Sequence, residues 1–290
     1  MLVTRFLGLF LTAALVVPAI ADDNTATKSN DGGVSTEVRK ENQKKMDGRL
    51  AASQVIGASI YGVNKDETIG SVNDIVMNKD GEVVYVIVGS GGLAGVGETD
   101  HAVPAKAVQV NWISDGDNDA DKELKISLPM TAEDLKNAPA LSLEHASDLT
   151  VASFADRNSK YFKQTDGKQM NADNMYLVSE IDGLSATGTD NESLGTVADI
   201  VFTHNDACKA EYYIIGTGGV AGIGAKYTAV PVNKVTVTKT ADNQYTAAVQ
   251  ANETILGAAP KVTSDHYYSE LGDKNVRENV ETAFSESEAK

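Results

Sequence analysis

Short runs of apolar residues, which alternate with polar residues or end at glycines, dominate the pattern of the chain. Residues 69–77 (IGSVNDIVM) lead into Asp80-Gly81, a pair that favours a tight hairpin turn. The apolar run 83–88 (VVYVIV) is the predicted returning strand. Further strand signals follow at 101–103, 108–112 and 124–128. Short strands with glycine-rich turns predict a small β-domain.

This pattern occurs twice in the chain. Residues 88–97 (VGSGGLAGVG) and 215–224 (IGTGGVAGIG) are identical at six of ten positions, and residues 194–201 repeat the strand at 69–76. Such self-similarity indicates tandem copies of one structural unit. Each copy has its own strands, glycine cluster and final Ala-Pro pair. Each copy is therefore predicted to fold without borrowing an element from the other.

The predicted fold is all-β, with two tandem small antiparallel β-barrels that each end in a short helical turn. Thr131 is a good N-cap for the first of these turns, because acidic residues follow it. No full crossover helix separates consecutive strands, so a parallel doubly wound sheet is not favoured. The two predicted domains are residues 52–141 and residues 176–262.

The N-terminal segment is predicted to lie outside these domains. Residues 1–21 contain Arg5, an apolar stretch and the small residues Ala19 and Ala21, which is the pattern of a cleaved signal peptide. An uncleaved membrane anchor is the alternative. Residues 22–51 are too polar to form a core and are predicted to be a disordered lead-in.

Two further segments are predicted to be a linker and a tail. Residues 142–175 are mostly polar and read as a linker with a short helix near 149–156. Residues 263–290 form an acidic tail, in which Val276, Val280 and Phe284 recur at helical spacing and predict a helix.

Charge and cysteine content narrow the class of protein. The formal net charge of −16 opposes nucleic acid and anionic lipid as partners, since both are bound by clustered Lys and Arg. The single cysteine, Cys208, rules out an intramolecular disulfide. With the signal peptide, these features predict a periplasmic or secreted protein that has no stable membrane insertion after cleavage.

Five motifs in a fixed order carry a family resemblance, and counterparts of them recur in the second copy. In the first copy they are the strand at 69–75, the Asp-Gly turn, the glycine cluster at 91–97, Ala102-Val-Pro104 and the segment 135–139. Together they resemble the PRC-barrel family, a β-barrel module carried by the photosynthetic reaction centre H subunit and by a ribosome-maturation factor. The resemblance implies a binding or assembly module without chemistry of its own. The chain departs from both named members in its export signal and in its acidity.

The two glycine clusters are predicted to be tight structural loops, where glycine accepts positive φ. A dinucleotide loop is the alternative, but the spacing GxGGxxG is shifted from GxGxxG, and an extended Val-Pro segment follows in place of a helix. The predicted structural glycines are Gly91, Gly92, Gly95, Gly97, Gly218, Gly219, Gly222 and Gly224.

Metal sites receive little support from the sequence. Asp115, Asp117 and Asp119 begin like a calcium loop, but Ala120 and Ile126 stand where an EF-hand requires Gly and Glu. These carboxylates are predicted to be solvated, with a weak calcium site as the alternative. The four histidines are scattered, which disfavours a zinc site, and no cofactor is predicted.

Catalytic candidates receive equally little support. Cys208 lies near His204 in a predicted turn and is interpreted as an idle thiol rather than a nucleophile. Asp74 and Asp199 occupy equivalent places in the two copies. They are predicted to accept backbone hydrogen bonds at a strand bend rather than to form a catalytic pair.

The sequence therefore predicts a non-enzymatic, exported binding or assembly module with a protein partner. One alternative is an enzyme with a site in the groove between the barrels. Another is a calcium-responsive envelope or surface protein. A deep pocket with convergent ionisable residues would favour an enzyme, and a large open apolar patch would favour a binding module.

Overall fold

The structure is a computed structural model of the chain. It describes residues 49–64, 67–92, 97–114, 122–142, 149, 151–163, 175–203, 208–219, 224–240, 242, 244–264 and 266–285. Within this part, no helix is both long enough and apolar enough to span a bilayer.

The first copy is built mainly from short strands. Its elements are β1 (Arg49–Ala51), α1 (Ala52–Val55), β2 (Ser59–Tyr61), β3 (Thr68–Asn78), β4 (Val83–Ser90), β5 (Thr99–Pro104), β6 (Gln109–Ser114), β7 (Lys122–Ser127), α2 (Ala132–Asn137) and α3 (Ala152–Tyr161). The side chain of Thr131 caps α2 by accepting a hydrogen bond from the Asp134 amide at 3.1 Å.

The second copy repeats this order with one additional short strand and one additional short helix. Its elements are β8 (Met175–Leu177), α4 (Val178–Ile181), β9 (Ser185–Thr187), β10 (Ser193–Thr203), β11 (Ala210–Thr217), β12 (Lys226–Pro231), β13 (Val235–Lys239), β14 (Tyr245–Val249), α5 (Glu253–Ala258), β15 (Lys261–Val262), α6 (Tyr267–Glu270) and α7 (Lys274–Ser285). We call residues 49–163 repeat 1 and residues 175–285 repeat 2.

Each repeat forms one sheet with the same strand order. The order is β5-β4-β3-β2-β7-β6 in repeat 1 and β12-β11-β10-β9-β14-β13 in repeat 2, where β15 extends the sheet beyond β12. Among the described strands neither sheet closes on itself, so the prediction of closed barrels is replaced by two open sheets. The chain is mostly β, so the predicted all-β class is confirmed only in part, because helices also form.

The prediction that the strands are wholly antiparallel is also wrong. Strand β2 runs parallel to β7, and β9 runs parallel to β14. Both β2 and β9 have three residues, which is too short for their alternation pattern to reveal a neighbour. Their direction is decided by the tertiary contacts of the chain and not by its local sequence.

The two repeats exchange their first strands. Strand β1 of repeat 1 pairs with β10 of repeat 2, with Leu50 opposite Phe202. Strand β8 of repeat 2 pairs with β3 of repeat 1, with Tyr176 opposite Met77. The prediction that neither copy borrows an element is therefore wrong. The residues 49–51, assigned from the sequence to a disordered lead-in, form a buried strand instead.

The segments predicted as linker and tail both contribute core residues. Strand β4 is buried on both faces: Val86 and Val88 lie in the main core, whereas Tyr85 and Ile87 pack in a second cluster with Phe154 of α3. This double burial explains the uninterrupted apolar run of β4.

The tail covers repeat 2 in a similar way. Helix α7 contacts β12, and its residues Val280 and Phe284 are fully buried. The helical spacing read from the tail sequence is confirmed over this part. All the described residues belong to one compact unit.

Candidate functional site

The contact between the repeats contains the most unusual chemistry among the described residues, because two buried carboxylates lie there. Asp74 and Asp199 each follow a β-bulge in the long strand of their repeat, and each is at most 6% exposed. A bulge turns one extra residue out of the ladder and re-aims the next side chain. In both repeats this aims the aspartate at the helix contributed by the other repeat.

Asp74 accepts three hydrogen bonds from two segments of the chain. Its Oδ1 accepts from the Ile75 amide at 2.8 Å and from the Ser179 amide at 3.2 Å, and the Ser179 hydroxyl donates to Oδ2. Burial raises the pKa of Asp74, and these three donors offset part of that shift. Asp74 thus caps helix α4 of repeat 2.

Asp199 makes the reciprocal arrangement. Its Oδ1 accepts from the Ile200 amide at 2.7 Å and from the Ser53 amide at 3.2 Å in helix α1 of repeat 1. The Tyr267 hydroxyl donates to Oδ2. The predicted structural role of both aspartates, accepting backbone N–H groups, fits these contacts. The partner residues Ser53, Ser179 and Tyr267 gave no signal in the sequence, because they lie more than 65 positions from the carboxylates.

The hairpin turns of the two repeats also meet. The Ala210 amide donates to the Gly81 carbonyl at 2.7 Å, and the Val83 amide donates to the Cys208 carbonyl at 2.9 Å. The Cys208 thiol is partly buried, which raises its pKa to about 11. It is therefore protonated at neutral pH, and a protonated thiol is a poor nucleophile. His204, its proposed neighbour, lies outside the described residues.

The glycine clusters lie at the opposite ends of the same hairpins. The described glycines of these clusters have φ values between +68° and +81°, the left-handed region that glycine favours. They are Gly91, Gly92, Gly97, Gly218, Gly219 and Gly224. Gly95 and Gly222 lie outside the described residues.

A Ser–His pair flanks the first glycine cluster, with Ser90 before it and His101 after it. His101 is fully buried, and its Nε2 lies 2.8 Å from Ser90 Oγ, while its Nδ1 lies 3.3 Å from the Pro139 carbonyl oxygen. Burial lowers the pKa of His101. The equivalent position in repeat 2 holds Thr228, which accepts a hydrogen bond from Lys261 Nζ at 2.9 Å. Since unrelated polar pairs fill the same place, we interpret both as satisfying buried polar groups.

One part-buried ion pair was not found by sequence reasoning. Arg49 in β1 donates to Glu211 in β11, with Nε–Oε2 at 2.6 Å and Nη2–Oε1 at 3.0 Å. The Arg49 side chain is 8% exposed and the Glu211 side chain is 32% exposed. Such a bidentate contact fixes the relative orientation of the two side chains and also pairs their charges. It joins the exchanged strand of repeat 1 to the sheet of repeat 2.

The described part of the chain lacks a large open apolar patch, the feature that would favour a binding module. Its large hydrophobic side chains are exposed only at Val63 and Val151, so it shows no extended apolar patch. No group of three or more described His, Cys, Asp or Glu side chains could hold a metal ion. The calcium candidates Asp115, Asp117 and Asp119 lie outside the described residues.

Comparison with known families gives a match over both repeats. The model of the PRC-barrel domain family matches residues 47–121 and residues 173–249. A search of curated proteins found no match. Both matches begin at the exchanged strands β1 and β8, which agrees with these strands being part of the family pattern. The chain therefore belongs to the PRC-barrel domain family, of which it carries two tandem copies.

Proposed function

We propose that this protein is an exported, non-enzymatic module that binds or assembles a protein partner. The observation that carries the proposal is the way in which the buried polar groups are used. Asp74, Asp199 and the Arg49–Glu211 pair all join one repeat to the other. Side chains that hold a scaffold together in this way are not free to act on a substrate.

The surface is suited to a polar contact. The described surface has few exposed large apolar side chains, and the chain carries a formal net charge of −16. A partner is therefore expected to be recognised through hydrogen bonds and charge, as in the polar rim of transient interfaces. Such association is fast and sensitive to salt. Export is proposed from the N-terminal sequence pattern of residues 1–21.

Affinity capture with the full mature chain as bait tests the proposal. The bait is incubated with the exported fraction of the native cells, at about 50 mM and at about 500 mM salt, and bound proteins are identified by mass spectrometry. We expect one partner that is retained at low salt, is released at high salt, and binds the purified bait directly with saturation. Absence of any saturable partner would count against the binding function.

An enzymatic function is tested separately. The Ser90–His101 contact at 2.8 Å is the one described pair with the geometry of a nucleophile and its base. A panel of ester and amide substrates should show no turnover above a Ser90→Ala variant. Turnover that the wild type supports and this variant lacks would overturn the non-enzymatic proposal.

A further inference from the structure

The exchanged strands β1 and β8 occupy equivalent places in the two halves of the molecule. Arg49 lies opposite Thr203 on β10, and Met175 lies opposite Asn78 on β3. Thr203 and Asn78 are themselves the last residues of equivalent strands. Arg49 of repeat 1 therefore stands where repeat 2 has Met175.

The surfaces that receive these two residues are equivalent as well. Tyr212 lies opposite Val201, and Tyr85 lies opposite Val76, which aligns β11 with β4. The residue before each tyrosine is Glu211 in repeat 2 and Val84 in repeat 1. Arg49 thus meets Glu211. On the other side, Met175 and Val84 both belong to the apolar cluster of repeat 1.

The backbone contacts of the two aspartate caps do not distinguish the repeats, although the hydroxyl donors differ: Ser179 donates to Asp74, and Tyr267 donates to Asp199. Asp74 binds the Ser179 amide, and Asp199 binds the Ser53 amide in the same way. The two strand pairings have the same length and direction. A repeat 1 that received the first strand of another repeat 1 would therefore keep its aspartate cap and its backbone register.

We propose that the Arg49–Glu211 pair specifies the partner of each repeat. It directs repeat 1 onto repeat 2 and disfavours association of like repeats from two copies of the chain. Pairing two copies of repeat 1 would place the buried Arg49 against Val84, and pairing two copies of repeat 2 would place Glu211 against Met175. Arg49 is buried and Glu211 is partly exposed, so removing one member of this ion pair should weaken the association by an amount between the values for exposed and buried pairs, roughly tenfold to a thousandfold. An apolar replacement of both members is tolerated. The pair therefore acts by penalising wrong partners.

The test uses the full chain and the double variant Arg49→Met, Glu211→Val. This variant gives both halves the apolar contact of Met175 and Val84, so this contact no longer disfavours the pairing of like repeats. Wild type and variant are unfolded in urea and refolded at protein concentrations from about 1 µM to about 1 mM, the upper value being near the effective concentration of two tethered modules. Mass is measured by size-exclusion chromatography with light scattering.

We expect the wild type to refold as a monomer throughout and the double variant to form dimers whose fraction at the highest concentration is at least about tenfold greater. The charge-swapped variant Arg49→Glu, Glu211→Arg should remain a monomer, because its like-repeat pairings are again mismatched. Lys274→Met, Glu278→Val, which removes an exposed ion pair, is the matched control and should also remain a monomer.

Two results would overturn the proposal. Equal dimer fractions in the wild type and the double variant would show that the ion pair does not select partners. Dimers of the charge-swapped variant would show that any disturbance of this contact causes association, so that the pair contributes stability and not specificity. Urea unfolding of each monomer fraction is measured alongside, so that a loss of stability is recognised independently of mass.

Discussion

Removing the carboxylate of Asp199 should destabilise both repeats together. In Asp199→Ala, the Ser53 amide and the Ile200 amide lose this acceptor, and the Tyr267 hydroxyl loses its carboxylate contact but keeps its contact with Ser53 Oγ. Asp199 is 5% exposed, so water cannot replace it without rearrangement. A buried donor left without a partner costs about 1–3 kcal/mol, so the two amides together with the lost Tyr267 contact give a loss of about 3–5 kcal/mol. With an m-value of about 3 kcal/mol/M, the urea midpoint should fall by about 1–1.7 M.

The assay uses the single tryptophan, Trp112, which lies in β6 of repeat 1. The substitution lies in repeat 2. Since each repeat holds the first strand of the other, the two should unfold in one transition, and the tryptophan fluorescence should report the full shift. Circular dichroism, which follows both repeats, should give the same midpoint.

Two variants calibrate this shift. Tyr267→Phe removes one of the three donors together with its hydrogen bond and should cost about 1 kcal/mol. The exposed Glu123→Ala should change stability by less than about 0.5 kcal/mol. In Asp199→Ala, the urea midpoint from Trp112 fluorescence could stay unchanged while the circular dichroism transition shifts or splits into two. That result would show that the repeats unfold independently and would contradict the reasoning from strand exchange.

Four further outcomes are expected. After cleavage at a protease site engineered between residues 164 and 174, the two fragments should remain bound to each other and elute from gel filtration in one peak. Fragments that separate would contradict the exchanged strands. Burial lowers the pKa of His101 below its ordinary value of 6.5. The neutral imidazole therefore contributes fully to the free energy of unfolding above pH 6.5. This contribution declines as the pH falls below 6.5, because the unfolded chain takes up the proton more readily than the folded chain. A His101→Gln variant should lose this part of the pH dependence of the unfolding free energy between about pH 5 and 6.5, and an unchanged slope would show that His101 does not cause it. Gly92→Val and Gly219→Val should each cost about 1–3 kcal/mol because their φ values are +75° and +81°, and unchanged melting temperatures would show that the loops adapt. Edman sequencing of the exported protein should begin at Asp22, whereas a membrane-bound protein that starts at Met1 would restore the anchor alternative.

Local features of the fold were readable from the sequence alone. The strands at 69–77 and 83–88 alternate or run apolar over enough residues to specify their type, and the Asp-Gly turn between them depends on four neighbouring positions. The helical spacing of Val280 and Phe284 likewise needs only one turn of helix to be recognised. The duplication was visible because it repeats these local signals in order.

The partners of each element were decided only by the tertiary structure. Strands β1 and β8 have three residues each, so no periodicity marks them, and each pairs with a strand more than 95 positions away. The Arg49–Glu211 pair joins residues 162 positions apart. The helix α3 was read as part of a linker, yet its Phe154 is 5% exposed because it covers the outer face of β4. A sequence records which residues can form a strand or a helix, whereas the choice of neighbour follows from which arrangement buries the most apolar surface and leaves no buried charge unpaired.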